Sequence, residues 1–137
     1  DYYETQDGRY LSIGSLEPQF LHGLAQILEL PIVAEKGASL VTEDRQVVKQ
    51  AIKDKIKTQD FATWNAIFQQ QDVCVEPVLT LDEALDSQLA KDRAWVVSVP
   101  LQEGSTKSEQ QLACPIKFSR SKIRYEFIGK PLGFDFL

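Results

Sequence analysis

The sequence predicts an α+β fold: a small antiparallel sheet of three to four strands with three to four helices packed on one side. Three observations predict it. Short extended segments lie near both ends of the chain, amphipathic helical stretches cluster between them, and an Asp-Gly turn joins the first two extended segments. Helices grouped in this way, and not interleaved with strands, argue against a doubly wound parallel sheet.

Tyr2 to Thr5 and Arg9 to Ile13 read as strands, with Gln6-Asp7-Gly8 as the hairpin turn between them. Tyr10, Ser12 and Gly14 alternate with Leu11 and Ile13, so one face is the more apolar. A helix is expected from Pro18 to Leu30, because Phe20, Leu21, Leu24, Ala25, Ile27 and Leu28 form an apolar stripe at helical spacing. Pro31 stops it, and residues 32–41 lack a clear period and read as a loop. A second helix spans Glu43 to Lys57, capped by Thr42, with Val47, Val48, Ala51, Ile52 and Ile56 facing inward. Lys49, Lys53 and Lys57 form a ladder on another face, which reads as a solvated surface beside Glu43, Asp44 and Asp54. A third helix runs from Phe61 to Gln70 with Asp60 as its cap, and Phe61, Trp64, Ile67 and Phe68 supply a core stripe.

Residues 74–79 read as a short extended segment, and Pro77 restricts it to an edge strand or loop. Thr80 followed by Glu83 is a capping box that starts a short helix at Leu81, with Leu85 to Lys91 as its reach. Ala94 to Leu101 is β-rich, residues 102–110 form a polar connection, and Gln111 to Phe118 reads as the return strand. Ser119 to Leu137 is expected to be irregular, with aromatics scattered between Gly129, Pro131 and Gly133.

The chain has 137 residues, enough for a domain with its own core; 43% are hydrophobic and 26% charged. The net charge of −5 argues against nucleic acid or an anionic membrane as the main partner, since both call for a basic surface. No apolar run has the length of a membrane span, and the polar, acidic start shows no signal peptide, so a cytoplasmic location is expected. Cys74 and Cys114 lie among apolar residues and read as reduced core cysteines, and no metal-ligand spacing occurs. The lack of methionine and the start directly on a strand predict a segment of a longer protein.

The candidate site residue is Glu17. It precedes Pro18, a residue favoured at the first helical position, and therefore falls near the N-cap. Unpaired backbone N–H groups and the positive end of the helix dipole favour an ionised carboxylate there. Two readings follow: a helix-capping side chain, or an auxiliary acid that orients or charge-balances a catalytic partner. His22, the sole histidine, lies five residues on, about 140° around the helix, and reads as a surface or boundary residue and not as a partner of Glu17. One histidine without a nucleophile motif, and no glycine-rich phosphate loop, leave no complete catalytic set in the chain itself.

The run Tyr3-Glu4-Thr5, Asp7-Gly8, Tyr10, Ile13-Gly14 and Leu16-Glu17-Pro18-Gln19-Phe20 resembles the smaller domain of α-methylacyl-CoA racemases, within the family III CoA-transferase (CaiB/BaiF) superfamily. Trp64, Phe68, Asp72-Val73-Cys74-Val75-Glu76-Pro77-Val78, Asp82-Glu83-Ala84, Pro115-Ile116-Lys117-Phe118-Ser119 and Pro131-Leu132-Gly133 continue the likeness in order. Asp86-Ser87-Gln88 and Phe134-Asp135-Phe136 depart from the family's usual His-Pro and Glu-His-Thr.

The resemblance implies a division at residues 1–118, the small domain, and 119–137, a tail that returns to a large domain. It implies that the large domain carries a histidine and an aspartate that exchange the α-proton of a 2-methyl-branched acyl-CoA through an enolate, and that Glu17 supports that histidine. It also implies a homodimer in which the site forms between the large domain of one chain and the small domain of the other. The acyl-CoA thioester is the substrate, and no separate cofactor or metal is called for. On this reading the isolated chain is inactive. A family III CoA-transferase, in which a large-domain aspartate forms acyl anhydrides, is the alternative enzyme. A non-catalytic binding or scaffolding domain is the alternative outside catalysis. The Leu16-Glu17-Pro18-Gln19 stretch favours the racemase branch.

Overall fold

The structure, a computed structural model, describes residues 1–129. The chain divides into two compact units, Asp1–Val78 and a second that begins at Leu79. Pro131-Leu132-Gly133 and Phe134-Asp135-Phe136 lie outside the described residues, as does that part of the tail. The fold is α+β, with six helices and two small antiparallel sheets among the described residues.

In the first unit, β1 (Tyr2–Glu4), β2 (Tyr10–Ile13) and β3 (Val75–Pro77) form a sheet in the order β1-β2-β3. Tyr3 pairs with Leu11, and Ile13 with Val75. These four side chains are buried, whereas Tyr2 and Tyr10 on the other face are exposed. The period-2 alternation of a half-covered antiparallel sheet explains this partition. Pro77 sits on an edge strand, where its missing N–H costs no ladder bond.

Four helices cover the buried face. They are α1 (Pro18–Leu28), α2 (Pro31–Lys36), α3 (Thr42–Ile56) and α4 (Phe61–Phe68). Their buried residues, among them Leu24, Leu28, Val33, Ile52, Ile56 and Trp64, join those of the sheet in one apolar cluster. Residues 31–36 are therefore helical and not loop. Pro31 both follows the end of α1 and opens α2, because proline suits the first helical position. Glu29 ends α1 in a left-handed conformation, φ 55°, and the Leu30 N–H returns to the Ala25 carbonyl at 2.9 Å. Thr42 is the first residue of α3 and not its cap; Val41 holds the N-cap position without a side-chain bond. Asp44 instead ties this end down, accepting from Lys36 at 2.8 Å and Ser39 at 2.9 Å, and the Lys36 bond lowers its pKa most. Val47 is half exposed, because the stripe Val48, Ile52, Ile56 is narrow and Val47 stands one residue off it.

The β1–β2 turn is clamped to the helical layer. Gly8 takes φ 80°, which glycine adopts without a Cβ penalty. Thr5, fully buried, donates to Asp7 Oδ1 at 2.6 Å, and the same oxygen accepts the Phe61 N–H at 3.0 Å. The Thr5 bond is the main reason the Asp7 carboxyl lies below its ordinary range. Lys57 reaches both Glu4, at 3.0 Å, and the Thr5 carbonyl, at 3.1 Å, and Arg9 lies 3.9 Å above the Phe61 ring. The lysine ladder is thus partly an ion-pair face: Lys49 also meets Asp1 at 2.6 Å.

Gly23 marks a close approach of α1 to the segment before β3. A Cβ there would stand 2.7 Å from Val73 Cγ1, and Val73 is buried. Gly23→Ala is expected to cost about 1–3 kcal/mol by overpacking. Urea unfolding of Gly23→Ala and of the double variant Gly23→Ala/Val73→Ala checks this: the second change should return part of the loss. A Gly23→Ala protein as stable as the parent would refute the close approach.

The second unit holds α5 (Leu81–Asp86), α6 (Gln88–Asp92), β4 (Val96–Pro100) and β5 (Ser108–Leu112). The Thr80–Glu83 capping box is present in both directions. The expected single helix is broken at Ser87, whose extended backbone and Oγ cap α6 by accepting from Ala90 N. β4 and β5 pair antiparallel as a separate two-stranded sheet, from Val96↔Leu112 to Pro100↔Ser108. The return strand begins at Ser108 and ends before Pro115, earlier than its composition indicates. Its residues Ser-Glu-Gln-Gln are mostly exposed, so no apolar alternation marks it. Residues 113–129 are without regular structure. Among the described residues no helix is long and apolar enough to cross a membrane.

Candidate functional site

The connection from β2 to α1 carries Glu17, and three bonds fix its course. Gly14 N–H donates to the Cys74 carbonyl at 2.9 Å, and Ser15, itself buried, donates its hydroxyl to the Val73 carbonyl. Leu21 N–H then closes the first helical turn on the Glu17 carbonyl at 3.0 Å. The loop is therefore pinned against the start of β3, and Glu17 stands at the N-cap of α1 with extended backbone, φ −72° and ψ 146°.

Its side chain accepts no capping hydrogen bond. The Glu17 carboxylate is exposed, and among the described residues it has no hydrogen-bond or ion-pair partner. Glu17 thus interacts with its helix through charge at the helix end and not through a capping hydrogen bond. The carboxylate is carried on a pinned backbone and stands exposed near the positive end of the helix. Leu16 beside it is 78% exposed.

Cys74 belongs to this corner. It was expected in the core, and the structure places it on the surface, with φ 51°. Its neighbours Val73 and Val75 are buried, and the left-handed backbone at Cys74, not a strand alternation, separates it from them. Loss of water around the sulfur pushes its pKa up, and the Glu17, Asp72 and Glu76 carboxylates push it further. The thiol stays protonated near neutral pH, which suits no nucleophilic role. Cys114 is half-buried and, like Cys74, free.

The corner thus gathers negative charge from Glu17, Asp72 and Glu76 around one thiol. Its chemical competence is to receive a cation or a hydrogen-bond donor, and an imidazole brought here would have its protonated form favoured. His22 does not take that part. It is exposed and lines a separate cleft with Ala25, Gln26, Glu29, Pro31, Ala34 and Glu35. Among the described residues no group of three His, Cys, Asp or Glu side chains converges to hold a metal ion.

Comparison with known proteins places the family and the fold. The sequence pattern of CoA-transferase family III matches residues 1–135. The α-methylacyl-CoA racemase of Mus musculus is 36% identical over 96 residues, which is 70% of this chain and 25% of that protein. The α-methylacyl-CoA racemase of Homo sapiens is 30% identical over 105 residues, 77% of this chain and 27% of that protein. A CaiB/BaiF CoA-transferase family protein of Caenorhabditis elegans is 31% identical over 85 residues, 59% of this chain and 22% of that protein. The chain therefore spans about a quarter of the length of the curated relatives it matches. The crystal structure of Rv3272 from Mycobacterium tuberculosis superposes with a TM-score of 0.67 at 14% identity, covering 87% of this chain and 34% of that one. At that identity the likeness concerns the fold.

Proposed function

This chain belongs to CoA-transferase family III, and from that premise we propose that it is the small domain of an acyl-CoA racemase-like enzyme. The substrate is a 2-methyl-branched acyl-CoA thioester, whose α-proton is removed to give an enolate and returned on either face. A histidine and an aspartate of a large domain do the proton transfer, and Glu17 supports the histidine. The large domain belongs to the same chain and to a second one, in a cytoplasmic homodimer.

The observation that carries this reading is the Glu17 carboxylate: held at a helix N-cap, exposed, and making no capping bond. A side chain that served only its helix would be expected to bond the first-turn N–H groups. A negative charge beside an imidazole stabilises the imidazolium that forms as the base takes the proton. Thioester conjugation makes the α-carbon acidic enough for such a pair to work through an enolate. The two racemase relatives support the choice of branch within the family.

The test is α-proton exchange. A branched acyl-CoA in deuterated water is incubated with the 137-residue chain and with a protein that carries the large domain as well. The chain alone is expected to give no exchange above buffer, and the longer protein is expected to exchange the proton and to racemise the thioester. A longer protein that moves CoA between carboxylic acids without exchange would overturn the racemase reading. Exchange by the chain alone would overturn the division of labour.

A further inference from the structure

A strand at the rim of a sheet leaves one row of backbone groups unpaired, and proteins blunt such rows with charge or proline. Among the described residues β1, β3, β4 and β5 stand at a rim, and three of them are blunted. β1 carries Glu4, which draws in Lys57 at 3.0 Å. β3 ends on Pro77, and β5 follows Lys107 and carries Glu109. β4 is different. From Ala94 to Gln102 the chain has no charged residue, and the strand itself reads Val-Val-Ser-Val-Pro. Its one proline, Pro100, stands at the far end, where its carbonyl accepts the Ile128 N–H at 3.0 Å.

The register tells which β4 groups face outward. Leu101 N–H donates to the Lys107 carbonyl, and Ala113 N–H to the Trp95 carbonyl, so the odd-numbered residues turn their backbone groups towards β5. In an antiparallel pair the residues between them turn theirs away. These are Val96, Ser98 and Pro100, opposite Leu112, Gln110 and Ser108. Ile128 takes Pro100, but no group among the described residues bonds the outward N–H or C=O of Val96 or Ser98. Ser98 is exposed and Val96 half-buried. The two stand on either side of Val97. A two-fold axis at Val97 therefore sets each Val96 opposite the Ser98 of a second, antiparallel copy, and each such pair exchanges both of its backbone bonds. With no charge on the strand, no like charges meet across that seam, although the chain as a whole carries −5. A two-stranded ribbon is marginal by itself, and this pairing turns two such ribbons into one four-stranded sheet.

We propose that the outer edge of β4 is an interaction surface for a second copy of this chain, joined antiparallel about Val97 into a continuous sheet in the order β5-β4-β4-β5. The seam lies within the second unit and uses neither Glu17 nor a large domain. It does not rest on the racemase-like reading, and the two can fail separately.

Sedimentation equilibrium of the 137-residue chain over a range of concentrations tests this and is expected to show exchange between monomer and dimer. Ser98→Pro removes an outward N–H and no bond of the hairpin, and should raise the dissociation constant at least tenfold. Ser98→Lys keeps every backbone group but puts a cation on each side of the axis. It should weaken the dimer as well, and less so at high salt. Gln110→Pro makes the proline change on the outer edge of β5 and should leave association unchanged. Circular dichroism of each variant establishes that it is folded. A chain that stays monomeric up to about 1 mM would overturn the proposal. So would a dimer that the folded Ser98→Pro variant leaves intact, or one that Gln110→Pro weakens as much as Ser98→Pro does. A monomer whose Val96 and Ser98 amides resist hydrogen exchange would put another segment on this edge and overturn the second copy as its occupant.

Discussion

In the protein that carries the large domain, Glu17→Gln should lower turnover at least tenfold, about 1.4 kcal/mol of barrier, while the melting temperature stays within about 3 °C of the parent. Glutamine keeps the size and removes the charge. The side chain makes no capping bond, so little of the helix depends on it. A histidine served by this carboxylate would lose the neighbour that favours its protonated form, and its pKa would fall. Acid–base steps slow when that pKa leaves the working range. The pH profile separates this role from a structural one, since its imidazole limb should move to lower pH in the variant. Unchanged turnover with an unshifted profile would remove Glu17 from the mechanism.

Trp64 carries the other large effect. It is 1% exposed, its ring stacks on Phe68 at 5.6 Å, and its indole N–H donates to the Ile56 carbonyl at 2.8 Å. That carbonyl lies at the end of α3, where the backbone offers it only a long 3.5 Å bond from the Gln59 N–H. One side chain thus fills the core and closes a helix end. Trp64→Ala should cost about 3–5 kcal/mol, a large part of the total stability of an ordinary domain, about 5–15 kcal/mol. Trp64→Phe keeps most of the packing but leaves the Ile56 carbonyl only the long Gln59 bond, and should cost about 1–3 kcal/mol. Urea midpoints followed by far-ultraviolet circular dichroism check both values and their order. A Trp64→Ala protein with the parent's midpoint would show that this tryptophan does not hold the unit together.

Much of the first unit was legible without a structure because its signals are local. Asp7-Gly8 names a hairpin turn through its backbone requirement. Asp60 caps α4 and Thr80 opens a capping box, and both side chains accept the bonds their positions predict. Pro18 places Glu17 at the N-cap by steric and donor logic alone, and the structure has it there. Pattern reading misled where one residue serves two elements. Pro31 was read only as a stop, yet it also starts α2. Ser108 to Leu112 is a strand with two polar faces, so no hydrophobic period announces it.

By itself the sequence determined the α+β class, the hairpin and the helices α1, α3 and α4 of the first unit, most of their core stripes and the position of Glu17 on a helix end. These follow from nearest-neighbour chemistry: dihedral limits, capping and the two side-chain periods. Only the tertiary structure decided that the strands divide into two sheets, that Cys74 leaves the core to join Glu17, and that Thr5 and Asp7 clamp the turn to α4. It alone showed the Glu17 carboxylate without a cap bond. The reason is physical. Which groups meet across tens of residues depends on how whole faces pack, and whether a charge is satisfied depends on neighbours that no local window contains.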